Sequence, residues 1–133
     1  MASSDLQREY YHSKYLTISL ADAVTLADAE TVHAVVQIPE NMELESVNFA
    51  GVAGAAADGI TIRVRRGSIS GAVLASVTHT AVGTGPEGTC GTRVKVPLSA
   101  CETVVITGDL TAAGDDFTSL TITLVLEPLK TDS

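Results

Sequence analysis

The chain has few aromatic residues and no tryptophan. Its 133 residues include three tyrosines and two phenylalanines, and the tyrosines all lie near the N-terminus, at Tyr10, Tyr11 and Tyr15. Sugars stack on exposed aromatic faces, and the rest of the chain offers neither tyrosine nor tryptophan for that contact. The sequence therefore argues against a lectin-like role, and a glycan-binding or cell-surface-binding module is kept only as an alternative.

Charged residues are also scarce, and basic residues are the scarcest. Charged residues make up 18% of the chain, and 8 basic against 16 acidic residues give a net charge of −8. Nucleic-acid phosphates repel so acidic a chain, so we expect no nucleic-acid partner. No apolar run is long enough to span a bilayer, so we expect no membrane partner. A surface poor in charge is easily desolvated, which suits a lasting protein–protein contact.

Cysteine is limited to Cys90 and Cys101. If residues 92–98 between them form a strand, extension alone separates the two cysteines by roughly 30 Å. A disulfide requires Cα atoms within about 7 Å of each other. We therefore expect two free thiols in a reduced cytoplasm, and a link between neighbouring copies stays open.

The residues of a catalytic or metal site do not converge in this sequence. The three histidines, His12, His33 and His79, have no partner at a metal-ligand spacing, and we expect surface or rim positions for them. The pair Asp115 and Asp116 lacks the alternating acidic pattern of a calcium loop. We therefore predict no enzymatic activity, no catalytic residue, no metal and no cofactor.

One glycine motif fits a nucleotide-binding pattern by its letters alone. Residues Gly83–Gly88 read Gly-x-Gly-x-x-Gly, but Pro86 lies inside the motif and a strand, not a helix, is expected after it. Without a helix N-terminus, no row of amides faces a phosphate. We interpret Gly83–Gly88 as a turn.

Strict alternation of apolar and polar residues is the dominant pattern, and it is the period of a half-buried strand. Leu16, Ile18 and Leu20 share one face of the first such segment. The same alternation recurs in three later segments, with these inward residues: Ile60, Ile62 and Val64; Val94, Val96 and Leu98; Leu120, Ile122, Leu124 and Leu126. A helix could not gather these residues into one apolar stripe.

Weaker strands complete a set of about eight, over residues 31–38, 42–50, 72–78 and 103–107. In residues 42–50 the inward set changes from Met42 and Leu44 to Val47 and Phe49, which predicts a bulge near Glu45. Short strands separated by turn residues indicate an all-β fold, a single antiparallel, jelly-roll-like β-sandwich. We predict an N-terminal arm over 1–14, the sandwich over 15–128 and a C-terminal tail over 129–133.

Two groups of residues are candidates for protein–protein interaction. The tyrosines Tyr10, Tyr11 and Tyr15 lie in or beside the arm, and tyrosine is enriched in interface cores. The arm could add to a neighbour's sheet or cover its own sandwich. The second group is basic and lies on or beside two predicted strands: Arg63, Arg65, Arg66, Arg93 and Lys95. If those strands share a sheet, the group forms a patch for an acidic partner; the alternative pairs it with Glu43, Glu45 or Glu102.

Residues 36–47 (VQIPENMELESV) resemble a segment of small β-sandwich virion proteins of tailed bacteriophages. Gly59–Gly67 (GITIRVRRG) resembles the strand that follows in those proteins, and residues 109–124 match the closing strand pair in part. The resemblance covers roughly residues 30–127, and the first 29 residues match no pattern of the family.

The resemblance implies a capsid decoration, or cement, protein on the outside of an icosahedral head. Such a protein is made in the host cytoplasm, binds the major capsid protein and stabilises the assembled shell, commonly as a trimer. A homo-oligomer, with a trimer favoured, is therefore expected. The alternative is another accessory virion component, such as a head fibre base, a neck protein or a tail protein.

Overall fold

The computed structural model describes residues 14–19, 30–112, 115 and 117–129, and for 14–19 the backbone alone. These residues form nine strands and no helix, so none of them belongs to a helix that could cross a membrane. The strands are β1 (Lys14–Ser19), β2 (Thr31–Gln37), β3 (Met42–Ala53), β4 (Gly59–Arg66), β5 (Val73–Thr80), β6 (Gly85–Cys90), β7 (Val96–Leu98), β8 (Thr103–Leu110) and β9 (Phe117–Pro128).

The strands form two antiparallel sheets. The first has the order β1-β9-β3-β6, with β7 also paired to β3, and the second has the order β2-β8-β4-β5. Because β6 and β7 pair with successive parts of one edge of β3, they occupy a single strand position. Numbered by position, the sheets read 1-8-3-6 and 2-7-4-5, which is the strand order of a jelly roll. The predicted all-β, jelly-roll-like sandwich is confirmed.

The core lies between the two sheets, and the alternation of the sequence selects its residues. Ile60, Ile62 and Val64 of β4 are fully buried, as are Ile122 and Leu124 of β9. Burying an aliphatic side chain contributes about 1.5–3 kcal/mol. A shift of register by one residue would expose every one of these side chains, so the pattern fixes the register.

The predicted bulge in β3 is present. The pairing of β3 with β9 shifts between Leu44 and Ser46, and Met42, Leu44, Val47 and Phe49 are all buried. The bulge lets residues on both sides of Glu45 reach the core despite the change of phase.

Two strand predictions were wrong in the region around residues 83–98. Part of the turn predicted over Gly83–Gly88 belongs to β6 (Gly85–Cys90), because the long strand β3 continues to Ala53 and offers its edge. Residues 92–95, predicted as the start of a strand, are irregular, and only Val96–Leu98 pairs with β3. The boundaries drawn for the arm and the tail stay predictions.

Candidate interaction surface

Arg63 and Arg65 of β4 lie on the outer face of the four-stranded sheet, where each has an acidic partner. The guanidinium of Arg65 donates from Nε and Nη2 to the two carboxylate oxygens of Glu30, at 2.6 and 2.9 Å. Arg63 donates to Asp109 at 2.5 Å and lies 3.5 Å from Glu30. We call Glu30, Arg65, Arg63 and Asp109 the ion-pair ladder. Its charges sum to zero.

The ladder holds Glu30 firmly as a carboxylate. Hydrogen bonding to Arg65 is the largest effect, and together with the Thr107 hydroxyl and the charge of Arg63 it lowers the pKa of Glu30 from 4.5 to about 2, against the opposing effect of desolvation. This partner could not be recognised in the sequence, because Glu30 lies before β2 and 33 residues or more from either arginine. The geometry of Arg65, two parallel bonds to one carboxylate, is the strong form of ion pairing.

The remaining basic residues gather around β7, although they come from both sheets. Arg66 ends β4 in the four-stranded sheet, and its guanidinium lies 2.7 Å from Glu102 and 3.4 Å from the carbonyl oxygen of Pro97 in β7. Arg93 and Lys95 lie in the irregular segment that leads into β7 and are exposed. We call Arg66, Arg93 and Lys95 the β7 basic surface.

The predicted single basic patch required the two basic strands to share a sheet, and they do not. β4 belongs to the four-stranded sheet and β7 to the five-stranded sheet. Two of the acidic partners considered as the alternative, Glu45 and Glu102, do pair with this group: Glu45 accepts from Arg93 at 3.2 Å, and Glu102 pairs with Arg66. The β7 basic surface is nevertheless the more open group, because the side chain of Arg93 is 82% exposed and that of Arg66 is 45% exposed.

The tyrosine group is only partly within the described residues. Tyr10 and Tyr11 lie outside them, and Tyr15 is described by its backbone, which pairs with Val125 at the outer edge of the five-stranded sheet. The role assigned to the three tyrosines stays a prediction.

His79 was expected at the surface or rim, and that expectation was wrong. The side chain is buried between the sheets, with ring centroids 5.5 Å from Phe49 and 6.2 Å from Phe117. Its Nε2 donates to Glu87 of β6 at 2.8 Å, and Nδ1 lies 2.5 Å from the Thr89 hydroxyl. His33, by contrast, is half-buried, and burial is the main cause that lowers its pKa. His12 lies outside the described residues.

Glu87 completes a link between the sheets that we call the His79 latch: His79, Glu87 and Thr89. Its carboxylate accepts from the amides of Val82 and Gly83 at 3.0–3.2 Å. These amide bonds, followed by the contact with His79, lower the pKa of Glu87. Because a carboxylate only accepts hydrogen bonds, Nε2 of His79 carries a proton. The sequence did contain a signal for this link, because Glu87 and Thr89 alternate with Pro86 and Gly88 as residues of one strand face do. The proline and glycines of the segment made it look like a turn.

One group of carboxylates in the described residues has the spacing of metal ligands. Oxygens of Glu43, Glu45 and Glu127 lie within 4.8 Å of one another on the five-stranded sheet. Glu43 and Glu127 are direct cross-strand partners, and Arg93 offsets part of the charge through Glu45. Hard cations bind carboxylate oxygens, but a cluster of acidic groups alone defines no metal site.

Apolar exposure marks the outer edges of the four-stranded sheet. On the edge strand β2, Val32 is 44% exposed and Val35 is 65% exposed, and on the opposite edge strand β5 Val73 is 47% exposed. Val35 and Val73 face the same side as the ion-pair ladder, because they pair in register with Val105 and Arg65. The outer face of this sheet is therefore neutral, with β-branched residues at its margins.

Solved structures share this fold at low sequence identity. Dimeric latent PorU from Porphyromonas gingivalis aligns with 92% of the chain at a TM-score of 0.53 and 10% identity, over 13% of its own chain. The infectious bursal disease virus Gx strain aligns with 90% at 0.50 and 6% identity, over 37% of that chain. The VP2 subviral particle of the same virus aligns with 87% at 0.51 and 7% identity, over 33% of that chain.

These similarities show the fold and nothing finer. The chain spans well under half of the length of each of the three proteins. No protein-family model and no curated protein sequence matches it. The chain is thus a jelly-roll β-sandwich whose fold also occurs in infectious bursal disease virus and in latent PorU.

Proposed function

We propose that this chain is a non-enzymatic structural protein of a virion, and that it decorates the outer surface of an assembled tailed-phage head. The fold supports a structural role, since the infectious bursal disease virus particles contain the same sandwich. The resemblance of residues 36–47 to small virion proteins of tailed phages supports the phage head as its location.

The observation that carries the proposal is the β7 basic surface in an otherwise acidic protein. Arg63 and Arg65 are offset within the ion-pair ladder and are only 27% and 19% exposed, so they have little attraction left for a partner. Arg66 and Arg93 are also paired, with Glu102 and Glu45, but they are 45% and 82% exposed and lie with the exposed Lys95 around β7. Opposite potentials orient a protein as it approaches its partner. We infer that this surface meets an acidic patch on the outside of the major capsid protein.

Binding only the assembled lattice would stabilise that lattice by mass action. Several copies joined in one oligomer would increase the avidity, because the second contact becomes intramolecular. A trimer, as the resemblance implies, would join three neighbouring capsid subunits in this way.

Co-sedimentation with preformed heads of its own phage, assembled without this chain, tests the proposal. The chain should pellet with the heads and raise their melting temperature. Changing Arg93 and Lys95 together to Gln should weaken binding by about tenfold and reduce its salt dependence. A matched variant, Thr80→Glu with Thr84→Glu, has the same net charge but leaves the β7 basic surface intact, and it should bind like the unaltered chain.

Three outcomes would count against the proposal. Failure to bind heads would remove the decoration role. Equal weakening in the two variants would assign the effect to net charge, not to the β7 basic surface. A low copy number in purified particles would favour another accessory virion component, since a decoration protein covers the whole lattice.

A further inference from the structure

The edge of β2 differs from the other sheet edges among the described residues. Protein edges are usually protected by charge, by proline or by a covering element. The strand sequence, TVHAVVQ, contains neither charge nor proline, and β2 pairs with β8 alone among the described strands. The strand has two exposed valines, and Val35, at 65%, is more exposed than Val32.

The remaining edges of the sandwich carry one or more of these protections. β6 contains Pro86 and Glu87. The β5 edge, although uncharged, lies against β6 through the hydrogen bonds of His79 with Glu87 and Thr89. β1 begins with Lys14. The β2 edge has one device of its own, a bulge at His33 between Val32 and Ala34, and the bulge leaves Ala34–Gln37 regular.

We propose that the β2 edge pairs with the β2 edge of a second copy of this chain, so that two four-stranded sheets join into one. This inference does not rest on the proposed function. A free strand edge alternates donors and acceptors and is therefore complementary to itself when it is turned antiparallel. Charge favours the same contact. Two copies that each carry a net charge of −8 repel each other, and this repulsion is weakest at the β2 edge, which is uncharged and adjoins the neutral ion-pair ladder.

The register of this pairing follows from the faces of the sheet. Residues directly opposite each other in an antiparallel pair lie on the same face of the sheet. Because side chains alternate between the faces, two such residues of this strand are an even number of positions apart, and the two-fold axis that relates the copies passes through a residue and not between two residues. An axis at Val35 sets Val35 opposite the same valine of the second copy, and Ala34 opposite Val36. The most exposed valine of the strand is thereby covered by its own counterpart.

The contact is short, and we expect the dimer to be weak. With the axis at Val35, the three residues Ala34–Val36 pair with their counterparts over about 10 Å, so the interface falls at the low end of specific interfaces and should dissociate in the micromolar to millimolar range. On a particle surface, where copies are held close together, such a contact adds to the avidity.

Sedimentation velocity of the full chain, from about 1 µM to about 1 mM, tests the pairing, with Val35→Lys and Val73→Lys as matched variants. Both valines lie on edge strands of the same sheet and face the same side. Lysine on an edge blocks strand addition, so Val35→Lys should weaken dimerisation by about tenfold or more, while Val73→Lys should change it less than about threefold.

Cross-linking supplies a second test that does not depend on affinity. In a background with Cys90→Ser and Cys101→Ser, Val35→Cys should oxidise to a disulfide-linked dimer and Val73→Cys should not. A chain that stays monomeric at the highest concentration and forms no cross-link overturns the proposal, as do equal effects at residues 35 and 73. A dimer that forms only after deletion of residues 1–13 also overturns it, because the arm then covers the edge of its own sandwich.

Discussion

The two sides of this sandwich are built differently. On the side where β5 and β6 adjoin, the His79 latch joins the sheets through two hydrogen bonds and packs against two phenylalanines. On the side of β2, the edge strand displays Val32 and Val35. Among the described strands it pairs with β8 alone, and its Ala34 and Val36 pack against the core. We call these the latched side and the open side.

Stability and recognition reside on different sides of the sandwich. A buried polar group must have its hydrogen bonds satisfied, so the latched side contributes to folding and tolerates little change. An exposed strand edge contributes little to the folded monomer and is available for a partner. Substitutions on the latched side should therefore change unfolding, and substitutions on the open side should change association.

His79→Ala is expected to have the largest effect. The change leaves a cavity between Phe49 and Phe117 and removes the hydrogen bonds with Glu87 and Thr89, at a cost of about 3 kcal/mol in the free energy of unfolding. Urea denaturation of the variant measures this cost.

The control for this variant is His33→Ala, which removes a half-buried histidine from the open side and should cost less than about 1 kcal/mol. Equal losses at His79 and His33 would refute the difference between the two sides.

The ion-pair ladder predicts a smaller effect that depends on pH. The pKa of Glu30 is lowered from 4.5 to about 2, so its contribution is present above about pH 4.5 and is lost as the pH falls toward 2. Because the ladder is partly solvated, we expect Glu30→Gln to cost about 1 kcal/mol at pH 7. The cost should shrink as the pH falls through this window.

Urea denaturation at pH 7, 4 and 2.5 measures the pH dependence of this cost. Thr84→Lys, at an exposed position outside the ladder, changes the net charge by the same amount and separates the effect of net charge from that of the ladder. A cost for Glu30→Gln that stays constant with pH would show that the carboxylate does not titrate in that range.

Much of the fold could be predicted from the sequence because the core imposes a period of two. Ile60, Ile62 and Val64 alternate with polar residues, and the phase change at Glu45 required the bulge that the structure has. β6 could not be predicted, since its residues, GPEGTC, have the composition of a turn. What makes this segment a strand is the long partner β3, and that is a tertiary effect.

The candidate surface was less predictable than the fold. The arginines were recognisable as a group in the sequence. Whether their positive charge is offset depends on partners distant in sequence, such as Glu30 for Arg65 and Asp109 for Arg63. Arg66 joins Arg93 and Lys95 because β4 ends beside β7. Those proximities depend on how the sheets stack, which the period of single strands does not determine.

Val35→Thr should have the smallest effect on the monomer. Val35 is 65% exposed on the open side, so replacing one methyl group by a hydroxyl should change the free energy of unfolding by less than about 0.5 kcal/mol. The same substitution at Val77, which is 4% exposed in β5 on the latched side, buries a hydroxyl and should cost about 1–3 kcal/mol. Urea denaturation at low protein concentration, where the chain is monomeric, compares the two variants. A loss at Val35 as large as that at Val77 would mean that another part of the chain covers the β2 edge, and the open side would then be no more open than the latched one.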